Sequence, residues 1–469
     1  MKKICVSLCL LFIVFFSANA ELNLELPETD FQNLGNQTGH YISAVKEEEL
    51  GLKILRGLRS RGELIENPEL NLWIRSLGNK LASRAPNSLT PYHFAISKKL
   101  SVNAFATIGG LVVVNAGLIL KSDSESELAA VIAHEIAHIS QRHIQRIVAE
   151  SQNNKFATGA ALVIGSLAAS QNSQVGAAVL NATLATNVHK RLSYGRSAEA
   201  EADRVGLSIL ANAGFNPKGM PSFLQKLEKF EDSKTADIRE FLQSHPLSVK
   251  RVADTSFRAK SYGVFKGQED IRFQYMREKI RAITNSGSAP PHAVSVKIKN
   301  YANALKLKKR NLNSTQFKAA KRLKTKNNVS ASILMAELYL QQQKPQQAIL
   351  LLNPLVQIYP GNEAISAPLA QALVMSGNPQ KAWGVLRDIK VSEQTSLEIF
   401  EIKQEVAKLV GNTSLAYRAV AERNIRTGRY KAANIQLRQA IKFPGANFEE
   451  IQEMQQQLIH VDTMLSSKK

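Results

Sequence analysis

The chain has 469 residues, 60 Lys and Arg against 39 Asp and Glu for a formal charge of +21, and two cysteines. That length allows two or three domains and a sizeable core. The positive balance favours acidic partners or anionic lipid headgroups; with no aromatic or glycine-rich nucleic-acid motif beside it, nucleic acid is excluded from the expected partners.

Met1-Lys2-Lys3 precedes an apolar run from Ile4 to Phe16, and Ser17-Ala18-Asn19-Ala20 follow before Glu21. A charged start, an apolar run too short for an ordinary membrane span and an A-x-A site after Ala20 make residues 1–20 a signal peptide, with an uncleaved anchor as the alternative. Cys9 has Leu8 before it rather than a small lipobox residue, so lipoprotein processing is not expected. Cys5 and Cys9 both fall inside this leader, so the exported chain has no disulfide and no thiolate. Its metal ligands are then restricted to His and carboxylate. Export without cysteine fits the bacterial periplasm. Residues 21–39 are polar, with Pro27, and read as an extended arm.

From Ile42 to Arg59 and from Asn67 to Ser83 apolar residues recur every three or four positions, the period of amphipathic helices. Between Tyr92 and Leu120 the period changes. His93-Phe94-Ala95-Ile96 and Gly110-Leu111-Val112-Val113-Val114 are short, β-branched and bounded by Asn or Gly, the pattern of a small sheet. A helix then spans Ser126 to Glu150, and within it stands VIAHEIAHISQRHIQR, Val131 to Arg146. His134 and His138 are four residues apart, so a helix puts both imidazoles on one face. That spacing suits two Zn–N bonds, and Glu135 is offset to address a water rather than the metal. His143, five positions past His138, is either an exposed helical residue or a support for the ligands.

Two histidines do not complete a catalytic zinc site, which takes a third protein ligand and keeps one position open. The candidates lie in YGRSAEAEADRVG, Tyr194 to Gly206, on a run of helix formers: Glu199, Glu201 and Asp203. Glu199 and Asp203 are four apart, so one can ligate while the other bonds the free nitrogen of a ligating histidine. Spacing alone does not separate Glu199 from Glu201, nor either from a solvated acidic face. Residues 156–187, nearly uncharged, lie between the two motifs and read as buried packing helices, a mobile lid or, least well, a membrane segment. Residues 207–231 continue as helix, interrupted at Gly214-Phe215-Asn216-Pro217. Ser244-His245-Pro246-Leu247 follows, with His245 open to three roles: a regulatory fourth ligand, an oxyanion donor or a capping residue.

HEIAH followed by R-S-A-E-A-E-A-D resembles the gluzincin metallopeptidases of the HtpX and CAAX-prenyl-protease family, whose pattern is H-E-x-x-H and then E-x-x-x-D. Asn103-Ala104-Phe105 with Gly109-Gly110 ahead of the helix, and His245-Pro246 with Arg251 behind it, match as well. The resemblance covers about residues 47–252. It implies one Zn2+ per subunit held by His134, His138 and Glu199, with Glu135 as catalytic base and Asp203 as support for a ligand or as proton donor. It also implies an edge strand for an extended substrate, with Asn103, Ala104, Phe105 and Gly110 as candidate contacts.

ITNSGSAPP, Ile283 to Pro291, is a Ser/Gly/Pro linker. Beyond it Ala348, Ala382 and Ala416 are 34 residues apart, and Gly377-Asn-Pro-Gln-Lys-Ala382 parallels Gly411-Asn-Thr-Ser-Leu-Ala416. This period resembles the tetratricopeptide repeat, a stack of helix pairs with a concave docking face. Lys297 to Lys326 carries eleven Lys or Arg and no acidic residue, a solvated face or a contact for an acidic partner or anionic outer-membrane lipid. The expected division is a signal peptide at 1–20, a zinc peptidase domain at 21–283, a linker at 284–291 and a repeat domain at 292–469. The expected fold class is mainly α with a small β-sheet (α+β), a gluzincin-like domain followed by an α-solenoid.

Leader, peptidase and repeats together resemble the members of that family that work on outer-membrane proteins from the periplasm. The resemblance implies a zinc metalloendopeptidase of quality control, with misfolded or stalled outer-membrane proteins as substrates and the barrel assembly machinery as a docking partner of the repeats. The alternative is a chaperone or scaffold with a mostly repressed peptidase site. An integral membrane protease is disfavoured, because no convincing span follows Ala20.

Overall fold

The computed structural model describes residues 43–86, 91–146, 195–232, 241–242, 244–267, 270–287, 295–308, 323, 325 and 327–466. The expected leader, the polar arm at 21–39 and the apolar stretch at 156–187 lie outside the described residues. From Ser43 onward the chain forms one compact unit, mainly helical around a three-stranded sheet. No helix among the described residues is long and apolar enough to cross a membrane.

Helix α1, Ala44–Ser60, starts where the Ser43 side chain accepts from Lys46 N. Helix α2, Pro68–Ala82, has Pro68 in its first turn and Asn67 accepting from Leu70 N. Strands β1 (His93–Ser97), β2 (Ala104–Ala106) and β3 (Leu111–Asn115) make a sheet in the order β1-β3-β2. β1 pairs parallel to β3 with Phe94 opposite Val112, and β2 pairs antiparallel with Phe105 opposite Val113. The β2–β3 turn carries Gly109 at φ +80° and Gly110 at φ +79°. A Cβ on Gly109 would lie 1.8 Å from the Glu47 carbonyl oxygen, so only glycine lets this turn rest on α1. After β3 the Gly117 N–H donates to Lys99 O, and the chain turns into a short helix, α3 (Ala116–Lys121), instead of staying extended.

Helix α4, Glu125–Ser140, is the centre of the core, with Leu128, Ile132, Ala133, Ile136 and Ala137 inaccessible to solvent. Ser124 caps it by accepting from Glu127 N. The expected helix to Glu150 breaks earlier. Gln141 and Arg142 form a turn, with Arg142 at φ +54°, before a short helical piece at 143–146. A helix across 195–212 (α5) follows, then α6 (Gly219–Asp232), α7 (Val249–Ser261) and α8 (Ile271–Ile283). Gly214 at φ +78° marks the expected interruption between α5 and α6.

Beyond residues 284–291 come α9 (Val296–Lys308) and then α10 (Val329–Gln341), α11 (Pro345–Ile358), α12 (Glu363–Met375) and α13 (Pro379–Arg387). The series ends with α14 (Leu397–Leu409), α15 (Thr413–Arg426), α16 (Tyr430–Lys442) and α17 (Phe448–Ser466). The second helices of three successive pairs start at Pro345, Pro379 and Thr413, and the fourth residue of each, Ala348, Ala382 or Ala416, is buried where helices touch. The largest apolar cluster does not stop at the linker. It runs from Ile65 through α4 to Ile298, Tyr301, Leu334 and Leu338, so α9 and α10 complete the core that α2 and α4 begin. In its midst Lys279 is paired with Glu69, both buried.

The repeats also cover one edge of the sheet. Phe94 N of β1 donates to the Gln394 side chain at 2.8 Å. Arg59 donates to the carbonyls of Glu393 at 2.6 Å and Thr395 at 3.2 Å, and Leu397 N donates to Glu66. Together with residues 63–65, which bond to Ile96 O and Lys98 N, Gln394 occupies the outer edge of β1, which leaves β2 as the edge turned toward α4.

Candidate metal centre

The centre is built on α4. One helical turn sets His134 Nε2 and His138 Nε2 3.0 Å apart. Helix α5 brings in the carboxylates, and it lies close because Gly206 has no side chain: a Cβ there would be 3.0 Å from His134 Cα. Glu199 Oε1 is 3.2 Å from His138 Nε2, and Glu199 Oε2 is 3.3 Å from His134 Nε2. His245, on the loop before α7, supplies a fourth donor. Its Nδ1 lies 2.9 Å from Glu199 Oε1 and 3.3 Å from His134 Nε2.

These four donor atoms lie within 4.8 Å of one another. Donors bonded tetrahedrally to one cation at about 2.0 Å sit about 3.3 Å apart, and the His134–His138, His134–His245 and histidine–Glu199 separations of 2.9–3.3 Å match that spacing. The chemistry of the set agrees: three imidazole nitrogens and a carboxylate converge through contacts of about 3 Å, a nitrogen and oxygen donor set that a divalent metal accepts. Where three protein donors and one open position are the expectation from sequence, the structure gathers four.

Each ligand candidate has a partner behind it. His134 Nδ1 is 3.0 Å from Asp203 Oδ1. Arg251, on α7, holds Asp203 with two bonds, Nε at 2.7 Å and Nη2 at 2.8 Å. The same guanidinium reaches Glu199 Oε2 and the carbonyl of Pro246, both at 2.9 Å, so one side chain joins α5 to the His245 loop. His138 Nδ1 faces His143 Nδ1 at 2.7 Å, and His143 Nε2 is 3.2 Å from Glu201 Oε2. Glu201 also accepts from Arg146 at 2.8 Å. Of the two glutamates that spacing leaves equal, Glu199 meets the histidine pair and Glu201 points to His143 instead. His143 itself is buried, not exposed.

The fields inside the site are strong because water is excluded. Burial lowers His138 to about 3, so that ring is neutral. Burial acts the same way on His134, but the charges of Glu199 and Asp203 outweigh it and raise His134 to about 10 without a metal. Burial works against ionised Glu199 too, yet the facing histidines hold it well below the usual carboxylate range. Glu135 is pushed up by burial. Its Oε2 accepts from Ala106 N of β2 at 2.9 Å, and its Oε1 lies 3.3 Å from His245 Nε2. His245 therefore faces the donor cluster through Nδ1 and Glu135 through Nε2.

Burial would raise Asp203 as well, but the Arg251 fork and His134 bring it to about 2, against 3.8 for a free carboxyl. Because the folded value is the lower one, this stabilisation is complete above pH 4 and is lost as pH falls through 2. The stability gap between metal-free wild type and Asp203→Asn is expected to narrow by about 2 kcal/mol from pH 5 to pH 2, measured by urea unfolding.

The sheet candidates divide. Ala104 and Phe105 belong to β2, whose neighbour Ala106 already touches Glu135. Asn103 is buried with its carbonyl taken by Asn115 N. Gly110 lies on the β1 side of the turn, its carbonyl bonded to His93 N, and is not brought to the β2 edge. Ala106 carried no sequence signal, because its contribution is a backbone N–H.

A helix bearing H-E-x-x-H, a glutamate helix packed on it and a strand edge alongside define a metallopeptidase. Residues 68–258 match the peptidase family M48 profile, residues 339–399 match a tetratricopeptide repeat, and the chain belongs to family M48. It is 30% identical over 414 residues to the beta-barrel assembly-enhancing protease of Escherichia coli (strain K12), covering 86% of this chain and 85% of that one. To the beta-barrel assembly-enhancing protease of Yersinia pestis it is 37% identical over 244 residues, 52% of this chain and 50% of the relative. It is also 27% identical over 193 residues to the metalloprotease LoiP of Escherichia coli (strain K12), 40% of this chain and 69% of the relative.

Proposed function

We propose that this chain is an exported zinc endopeptidase of the periplasm that acts on outer-membrane proteins during their assembly. In this reading His134, His138 and Glu199 hold the zinc, Glu135 is the general base and Asp203 orients His134. The observation that carries it is the convergence of α4 and α5, which sets Glu199 within 3.3 Å of both imidazoles. An all-nitrogen and oxygen set without thiolate suits zinc, and zinc so held polarises a carbonyl and makes water a nucleophile near neutral pH.

The chain's own residues do the rest. Glu135 takes the proton of the attacking water and returns it to the leaving amine, a task suited to a buried carboxylate of raised basicity. An extended substrate adds to the β2 edge, with Ala104 and Phe105 alongside it. The division proposed with it is leader 1–20, peptidase 21–283, linker 284–291 and repeats 292–469, with the first helices after the linker packed into the peptidase core. The names of the relatives support the outer-membrane-protein substrate, and the solenoid supports docking on the barrel assembly machinery, with anionic lipid as a peripheral contact. Metal analysis beside casein digestion tests the proposal. Wild type is expected to hold one zinc and Glu199→Gln little or none; stoichiometric zinc in Glu199→Gln would show a different third ligand.

The position of His245 favours a second reading of the same site, a peptidase held shut at rest. Were His245 to hold the zinc together with the other three residues, no position would be left for water, and His245 would have to swing away before catalysis. Replacing His245 with Ala is expected to raise casein cleavage several-fold while zinc is retained. An unchanged or lower rate with zinc in place would remove the latch.

A further inference from the structure

We infer that Glu201 acts as a positioning residue for the metal centre through His143, fixing the tautomer of His138 two rings away. The inference rests on the reading of His138 as a ligand. It begins at the break in α4. On an unbroken helix a residue five positions past His138 would project about 140° around the axis from it. The left-handed Arg142, φ +54°, ends that helix and folds His143 back, so that the rings meet edge to face with centroids 4.8 Å apart.

The hydrogen-bond chain then has one direction that satisfies every member. Glu201 is a carboxylate that accepts from Arg146, so His143 Nε2 must be the donor toward it. A neutral His143 that donates at Nε2 accepts at Nδ1. His138 must then donate from its own Nδ1 across the 2.7 Å contact. That leaves the lone pair of His138 on Nε2, the atom facing His134 and Glu199. Reversed, the chain would put a proton on Nε2 and block ligation.

His134 has the same arrangement one step shorter, with Asp203 accepting directly and Arg251 behind it. Both histidines of the motif thus end on a carboxylate clamped by an arginine. Such partners change metal affinity about 10- to 100-fold in other metal sites. Glu201 is suited to a test, because its side chain is 28% accessible and can be altered without opening the core.

The experiment loads full-length protein with zinc and follows its transfer to a chromogenic chelator, beside NMR of protein labelled with 15N at histidine. Glu201→Ala is expected to release zinc about 10- to 100-fold more readily, and the His138 Nδ1 proton to be lost to exchange with water. Glu201→Gln keeps an acceptor for His143 and is expected to behave as wild type. Release from Glu201→Ala at the wild-type rate, while His138→Ala loses its zinc, overturns the inference and leaves the metal centre standing. Zinc held by His138→Ala as tightly as by wild type overturns both.

Discussion

Glu135→Gln is expected to cut the cleavage of an unfolded outer-membrane protein about 1,000-fold while the protein still binds zinc and melts as wild type does. The argument is one of subtraction. Glutamine keeps an oxygen for the Ala106 N–H, which now donates to Glu135 Oε2 at 2.9 Å, so the β2 edge stays where it is. None of the four clustered donors is altered. The substitution removes a buried group whose ionised form burial already disfavours, so no new uncompensated charge appears. Only the proton acceptor is lost. A variant that keeps more than a tenth of wild-type cleavage would take the base role away from Glu135. The same variant separates protease from scaffold: full support of outer-membrane protein assembly in cells by Glu135→Gln would show that hydrolysis is not the chain's main task.

Sequence periodicity read most of this architecture because most of it follows from local rules. The two helices before the sheet, the β-branched strands and the 34-residue helix pairs each have a repeating apolar signal, and the buried Ala348, Ala382 and Ala416 fall on it. What was not legible depends on contacts between distant stretches. The parallel pairing of β1 with β3 needs the crossover that carries β2. The choice of Glu199 over Glu201 is set by how α5 rotates against α4, with Gly206 permitting the approach. His143 would have needed foreknowledge of the turn at Arg142, since its place under His138 contradicts helical geometry. The Ser/Gly/Pro linker at 284–291 signals a break in the chain, but core continuity is decided by packing, and Tyr301 packs across that break onto Tyr275.

Arg251→Met should cause the largest loss of stability, about 3–5 kcal/mol in the metal-free protein by urea unfolding. Methionine fills similar space, so the effect isolates charge. Asp203 and Glu199 are 3% and 4% accessible, and without the guanidinium both would be buried carboxylates with no cation but the histidines among the described residues. Lysine should recover little, because one ammonium cannot reproduce the two-bonded grip on Asp203 together with the bonds to Glu199 and Pro246 O. Pairing Arg251→Met with Asp203→Asn removes one of the stranded charges and should return part of the loss, which separates electrostatics from packing. A loss below about 1 kcal/mol for Arg251→Met would mean that water reaches the site and screens these charges. Because Arg251 also holds the Pro246 carbonyl, the single variant should loosen the His245 loop, and the rise in casein cleavage expected of His245→Ala should then appear in part here too.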